Sequence, residues 1–319
     1  MRDGRMHDDE REITPALVRH LVARQFPHWA ELPVTRVPST GTVNAMFRLG
    51  DDMAVRLPRI PGGVEDVERE HDWLPYLAPR LPVPVPRVLG KGLPAPDDGY
   101  PWPWTVLRWL DGANPVVGGL ADPEGLALGL AEFVAALRRV DATGGPPAHR
   151  GGPLAALDGP TREALGRLGA LSARGLVDLD AEEVAALTAA WERALAAPRW
   201  PGPPVWVHSD LMPGNLLVRE DGALGAVIDF GTLGVGDPAC DLVAAWYVLP
   251  PDARETFRAA LVGSPGESEG AREREESALW ERGRGWALSM AATQYPYYRE
   301  TNPPFAADAL STLQALLSP

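Results

Sequence analysis

The stretch Val205–Leu242, VWVHSDLMPGNLLVREDGALGAVIDFGTLGVGDPACDL, constrains this chain more than any other. Val205–Val207 is an apolar run ending in a polar loop, His208-Ser209-Asp210, and Asn215 follows Asp210 by five residues. Leu216–Val218 and Ala223–Ile228 are short apolar runs joined by a turn around Asp221-Gly222. An Asp-Gly pair between apolar runs predicts a hairpin, because glycine accepts the positive φ of a tight turn. The second run ends on Asp229-Phe230-Gly231. Such a hairpin carries Asp210 and Asn215 into one end and Asp229 out of the other. Three oxygen-bearing side chains then converge at its mouth.

That constellation suits phosphoryl transfer. The reaction needs a carboxylate to orient a hydroxyl nucleophile and oxygen ligands for Mg²⁺ on the nucleotide phosphates. In this reading Asp210 is the base, and Asn215 and Asp229 hold the metal. The H-x-D-x-x-x-x-N spacing followed by D-F-G resembles the catalytic set of the protein-kinase superfamily. The wording of the whole block is closer to the aminoglycoside-phosphotransferase family of small-molecule kinases. That family usually has glycine between the His and the Asp; Ser209 here stiffens the loop and removes no reacting group. The competing reading is two acidic loops flanking a buried hairpin, which requires several spaced residues to coincide by chance.

The resemblance implies an α+β, bilobal protein-kinase-like fold. A small β-rich N-terminal lobe (1–110) holds nucleotide, and a larger, mainly helical C-terminal lobe (111–319) holds the catalytic and acceptor sites. Pro33–Leu57 reads as a β-meander, with Ser39-Thr40-Gly41 in the turn where a phosphate-covering loop belongs. Arg56 lies in the third strand, where the superfamily places its phosphate-binding lysine. Val67, Glu70, Leu74 and Leu77 then share one helical face. An acid on a core-facing stripe wants a cationic partner, and the resemblance supplies one in an Arg56–Glu70 ion pair; the alternative is a rim glutamate reaching solvent. Arginine for lysine is a departure, although its planar fork can contact phosphate and carboxylate together. The chain's only lysine is Lys91, in a Gly-rich loop.

Trp104–Leu110 reads as a strand broken by Asp111-Gly112, and the hinge is placed there. The resemblance assigns nucleobase contacts to Arg108 and Leu110. Asp122-Pro123 caps a helix with Leu126, Leu130, Phe133, Val134 and Leu137 on one face. Asp180 to Glu183 is an acidic capping box. Asp237-Pro238 starts a helix through Val248. By the resemblance an aspartate here braces the catalytic loop; Asp237 and Asp241 are both candidates, and because capping accounts for Asp237, Asp241 is favoured, so that His208, Asp210 and Asp241 form the catalytic set. Gly263–Glu276 reads as an acidic, mobile loop, and Trp280–Ala292 and Ala306–Leu317 as closing helices. Tyr295, Tyr297 and Tyr298 are candidates for a substrate cleft, with core packing as the alternative.

Composition narrows the partners. Lys+Arg 30 against Asp+Glu 43 leaves a net charge of −13, which disfavours a phosphate-tracking nucleic-acid surface. One cysteine, Cys240, excludes an internal disulfide and suits a reducing compartment. The start, MRDGRMHDDERE, has no apolar core and reads as a frayed terminus rather than a signal peptide. No window is long and apolar enough for a membrane span, so a cytoplasmic protein is expected. Six residues separate Gly231 from Pro238, too few for the long segment that presents peptides to protein kinases. A hydroxyl-bearing small molecule is therefore the expected acceptor, with ATP or GTP as donor and Mg²⁺. An antibiotic of aminoglycoside, macrolide or nucleoside type comes first; a metabolite such as choline, homoserine or a sugar is the alternative. A non-catalytic nucleotide-binding module, motivated by Arg56, is the third reading.

Overall fold

The structure, a computed structural model, describes residues 11–37, 43–261 and 269–318. The chain enters through α1 (Pro15–Gln25), whose N-cap Thr14 accepts the Leu17 amide ahead of Pro15. A meander follows: β1 (Val34–Arg36), β2 (Asn44–Leu49) and β3 (Met53–Pro58). Next come α2 (Gly63–Leu77), β4 (Val88–Gly92) and β5 (Trp104–Arg108). The five strands form one antiparallel sheet in the order β1-β2-β3-β5-β4. All six residues of β3 are buried, because neighbours flank it on both edges. Arg56 is paired in register with Met46 and Thr105 at its centre.

The remainder is mainly helical: α3 (Pro123–Arg139), α4 (Asp158–Ser172) and α5 (Ala181–Ala196) precede the catalytic segment. Both predicted caps form. Asp122 accepts the Gly125 amide, and Asp180 and Glu183 exchange side-chain and backbone bonds at 2.8 and 2.7 Å. After β6 (Val205–Val207) the hairpin is β7 (Leu216–Val218) and β8 (Leu224–Val227). Gly222 sits in its turn at φ +86°, the conformation that called for glycine. β9 (Gly234–Gly236) pairs antiparallel with β6. The chain closes with α6 (Ala244–Tyr247), α7 (Pro251–Leu261), α8 (Glu269–Tyr298) and α9 (Pro303–Ala315).

Two hydrophobic cores result. One gathers α1 and the sheet around Phe47, Tyr100 and Trp104. The larger gathers the helices around Phe133, Trp191, Trp206 and Phe230, and it takes in Leu74 and Leu77 of α2. Helix α2 therefore presents its predicted stripe partly to the second core, with Val67, Glu70, Leu74 and Leu77 all buried. Among the described residues no helix is long and apolar enough to cross a membrane.

Four expectations are corrected. Arg11, assigned to the frayed start, donates its amide to the Arg59 carbonyl at 2.9 Å. Lys91 lies within β4 rather than in a loop. The segment opened by Asp237-Pro238 is a 3₁₀ turn over Pro238–Val243 before it becomes α6, since Asp237 caps the Ala239 amide in a tight turn. Glu269–Glu276 belongs to α8 instead of a loop, its density of Glu, Arg and Ala favouring helix; the rest of that predicted loop, 263–268, lies outside the described residues.

Candidate active site

The catalytic loop is held from below by one buried carboxylate. Asp241 accepts the His208 amide at 2.9 Å through Oδ2 and the Ser209 amide at 2.7 Å through Oδ1. Burial pushes its carboxyl above the ordinary range, while His208 and the two amides pull the other way. Asp241 thus bonds the two consecutive amides of the loop. His208 lies inside the protein. It is fully buried, stacks edge-on against Phe230 and directs Nε2 to the Ile228 carbonyl at 3.1 Å. Its Nε2 contact joins the loop to the strand end of the hairpin.

Ser209 adopts φ +65°, a left-handed conformation that suits the glycine usual at this position. Its Oγ donates to the Thr232 carbonyl at 2.8 Å, and Thr232 Oγ1 returns a bond to the His208 carbonyl at 3.0 Å. The catalytic loop is thereby stitched to the segment after Gly231. Ser209→Ala loses the hydroxyl bond, worth about 1 kcal/mol. Ser209→Gly loses the same bond but relieves the left-handed strain, about 1–2 kcal/mol, against about 0.5–1 kcal/mol for glycine's greater unfolded freedom. The glycine variant is expected to be at least as stable as the alanine variant in urea unfolding. A less stable glycine variant would show that the backbone stores no strain there.

Asp210 is fixed on both oxygens. Arg150 Nη1 donates to Oδ1 at 2.7 Å, and Asn215 Nδ2 donates to Oδ2 and to the Asp210 carbonyl, each at 2.8 Å. The Asn215 amide nitrogen is spent in this way, which leaves Asn215 Oδ1 as the atom for a cation. Across the hairpin, Ile228 N donates to the Asn215 carbonyl at 2.9 Å, so Asp229 emerges beside it. Asp229, at φ +62°, keeps 44 % of its side chain exposed and gives only Oδ1 to the protein, to Arg56 Nη1 at 3.1 Å. An amide oxygen and a carboxylate are hard donors that fit Mg²⁺, which completes its shell from phosphates and water. Among the described residues no group of three or more His, Cys, Asp or Glu side chains could hold a metal by itself.

The expected ion pair exists and is buried. Arg56 Nη1 donates to Glu70 Oε1 at 2.7 Å, and the side chains are 4 % and 1 % exposed. The same Glu70 oxygen accepts the Phe230 amide at 2.7 Å, tying α2 to the Asp229-Phe230-Gly231 turn. Burial pushes the Glu70 carboxyl up to about 7, with Arg56 opposing. On the other side burial lowers Arg56, but Glu70, Asp229 and Asp66 together outweigh it and hold the guanidinium above its ordinary range. The asymmetry is physical: Arg56 gains from several anions, while Glu70 has one cation and leaves Oε2 unpartnered.

Ser39, Thr40 and Gly41 lie outside the described residues. Arg108 ends β5 with its amide already donated to the Arg87 carbonyl at 2.9 Å and its guanidinium on Asp52. Its N–H is therefore already bonded within the protein. Leu110 follows the strand and is half-buried. Beyond the hairpin, Tyr247 Oη donates to Gln294 at 2.7 Å, and Gln294 Nε2 lies 3.7 Å from Met212 Sδ, two residues past Asp210. Tyr295 is a core residue, Tyr297 is exposed, and Tyr298 packs edge-on against Phe305.

Sequence reasoning missed two groups. Arg150 sits in a Pro/Gly-flanked loop sixty positions from Asp210, with no local pattern to single it out. Asp66 stands one helical turn before Glu70, which was a legible signal. A Cβ on Gly231 would come within 2.6 Å of Asp66 Cβ, so helix and turn are in contact there. Burial pushes the Asp66 carboxyl up and Asp229 adds to it.

Comparison with known proteins agrees with this geometry. A profile of a family described as "Phosphotransferase enzyme family" matches residues 34–286. No curated protein matches the chain in sequence. Among solved structures, the GDP complex of wild-type aminoglycoside 2'-phosphotransferase-IIIa superposes with a TM-score of 0.67 at 19% identity, covering 96% of this chain and 99% of that one. Apo macrolide 2'-phosphotransferase MphH from Brachybacterium faecium gives 0.57 at 24% identity, covering 94% and 97%. Macrolide 2'-phosphotransferase type I gives 0.60 at 21% identity, covering 95% and 98%. These likenesses establish a shared fold.

Proposed function

In a chain that belongs to the phosphotransferase enzyme family, we propose that the hairpin mouth transfers the γ-phosphate of ATP or GTP to a hydroxyl of a small molecule. An antibiotic of aminoglycoside, macrolide or nucleoside type is the acceptor class we favour. The observation that carries this reading is the convergence of Asp210, Asn215 and Asp229 on one hairpin, with the Arg56–Glu70 pair behind them. The solved structures of similar fold include enzymes acting on aminoglycosides and macrolides, which supports an antibiotic acceptor.

Asp210 orients the acceptor hydroxyl and takes its proton. The acceptor oxygen forms the new bond to the γ-phosphorus as the bond to the β-phosphate bridging oxygen breaks, releasing the nucleoside diphosphate. Asn215 Oδ1 and Asp229 would hold Mg²⁺, which when bound neutralises charge on the phosphates. Arg56 reaches the phosphates from β3 while Glu70 holds it. The sheet lobe (1–110) carries nucleotide, with Leu110 at the base. The helical lobe (111–319) carries the acceptor.

The test is a set of purified-protein assays with aminoglycosides, macrolides, nucleoside antibiotics and small alcohols, each with ATP and GTP. Nucleoside-diphosphate release above the water background for an antibiotic supports the reading. Release only with a metabolite alcohol would redirect it. Asp229→Ala is expected to weaken nucleotide binding in the presence of Mg²⁺ at least about tenfold and to change it little without Mg²⁺. Calorimetric titration with and without the ion checks this; equal losses in both would remove Asp229 from the metal site.

A further inference from the structure

Arg150 is delivered to Asp210 by a segment that the chemistry so far has not used. Pro146–Gly151 runs beside β9 as an added strap. Val235 N donates to the Pro146 carbonyl at 2.8 Å, Ala148 N to Val235 at 3.1 Å, His149 N to Thr232 at 3.1 Å and Asp237 N to Gly151 at 2.8 Å. Arg69 of α2 clamps strap and strand together, donating to the carbonyls of Pro147 at 2.8 Å and Leu233 at 2.9 Å. The strap ends at Gly151, whose φ of +122° and approach to Gly236 suit a residue without Cβ. Its register is therefore set by the same segment that follows Asp229.

From this strap Arg150 Nη1 donates to both Asp210 Oδ1 at 2.7 Å and the Ser209 carbonyl at 3.0 Å. The two side chains are 24 % and 15 % exposed, so the pair is shielded from most of the screening that weakens surface ion pairs. Burial lowers the Arg150 value, and the surrounding groups, Asp210 foremost, more than restore it. Asn215 already holds the other Asp210 oxygen. With one bond on each oxygen, the carboxylate is held in a single orientation. Without Arg150 only Asn215 restrains it.

We propose that Arg150 is a positioning residue for phosphoryl transfer, acting through Asp210 and locking the carboxylate in the orientation that receives the acceptor hydroxyl. This rests on Asp210 being the base. A base misplaced by a rotamer loses rate, while nucleotide binding, assigned above to Arg56, Asn215 and Asp229, is expected to change little.

The experiment compares wild type, Arg150→Met, Arg150→Lys, Asp210→Asn and the Arg150→Met/Asp210→Asn double variant. Nucleoside-diphosphate release is followed with Mg²⁺–ATP and Mg²⁺–GTP, using an aminoglycoside, a macrolide and water as acceptor probes. Arg150→Met is expected to lower kcat about thirtyfold with nucleotide Kd within about twofold, and Arg150→Lys to recover most of the rate. The double variant is expected to be no slower than Asp210→Asn, since both changes act on one group. Crystal structures of wild type and Arg150→Met (or of Arg150→Lys, should the methionine variant not fold) form an arm independent of turnover. In these the Asp210 carboxylate is expected to rotate in the methionine variant and to stay in place with lysine. Wild-type kcat in Arg150→Met, an additive double variant, nucleotide affinity falling in step with kcat, an unmoved carboxylate in the methionine variant or a rotated one with lysine would each overturn the proposal. Wild-type turnover by Asp210→Asn would instead remove the base assignment itself, a result that is separately visible.

Discussion

Asp210→Asn is expected to leave nucleotide affinity nearly intact and to lower phosphoryl transfer at least about a hundredfold, as for loss of a positioned base. Geometry gives two reasons. The amide cannot take the acceptor's proton, and it offers one acceptor oxygen where the carboxylate serves two donors, Arg150 and Asn215. One of those donors must be left facing an NH₂ group, so the loop loses alignment as well as basicity. Nucleotide contacts lie on Arg56, Asn215 and Asp229 in this account, and they are kept. Turnover of the variant near the wild-type rate would end the assignment.

The second large effect is on stability. Arg56→Ala leaves Glu70 buried beside the larger core with only the Phe230 amide as partner. Breaking a buried pair by removing one member costs about 3–5 kcal/mol. The cost depends on pH with a definite sign. Burial raises the folded Glu70 value to about 7 from an ordinary 4.5, so folding takes up a proton between those values. The stability this lends is fully present below about pH 4.5 and is lost as pH rises through about 7. Removing Arg56 takes away the group that pulls Glu70 down, so Arg56→Ala is more damaging at pH 8 than at pH 6. Glu70→Gln is expected to flatten the wild-type stability profile between pH 4.5 and 7. Arg56→Lys restores charge without the fork and recovers part of the nucleotide affinity. In a double cycle the Arg56 and Glu70 changes are non-additive in nucleotide affinity. Zero coupling there, with a pH-independent Arg56→Ala penalty, would make Arg56 an ordinary strand residue and favour a non-catalytic module.

What could be read in the chain follows the range of the forces involved. The β7–β8 hairpin was legible because an Asp-Gly turn and flanking apolar runs are neighbours in sequence. Glu70 was legible because helical period placed an acid on a stripe whose other members must be buried. The caps at Asp122 and Asp180 were legible because capping is a contact over three residues. Arg150 and the strap were not legible. Their bonds join residues whose proximity only the tertiary fold decides, and backbone pairing of the strap with β9 leaves no side-chain pattern. The same holds for β6, which pairs with β9 rather than with the hairpin that follows it. The surroundings of His208 were not legible for a related reason: its place in the motif is local, whereas its burial against Phe230 and Ile228 is not. The bond that occupies the Arg108 amide was not legible either, since the Arg87 carbonyl belongs to the stretch that leads into β4.

The central claim, transfer of a nucleotide γ-phosphate to a small-molecule hydroxyl at Asp210, is tested most directly by following the phosphate itself. Wild type and Asp210→Asn are incubated with Mg²⁺ and γ-labelled ATP or GTP together with pooled antibiotics and alcohols, and the labelled products are identified by mass spectrometry. The account predicts label covalently bound to one acceptor class with wild type, and at least about a hundredfold less with the variant. Label found only in inorganic phosphate, or on the same acceptor at the same rate with Asp210→Asn, would contradict it.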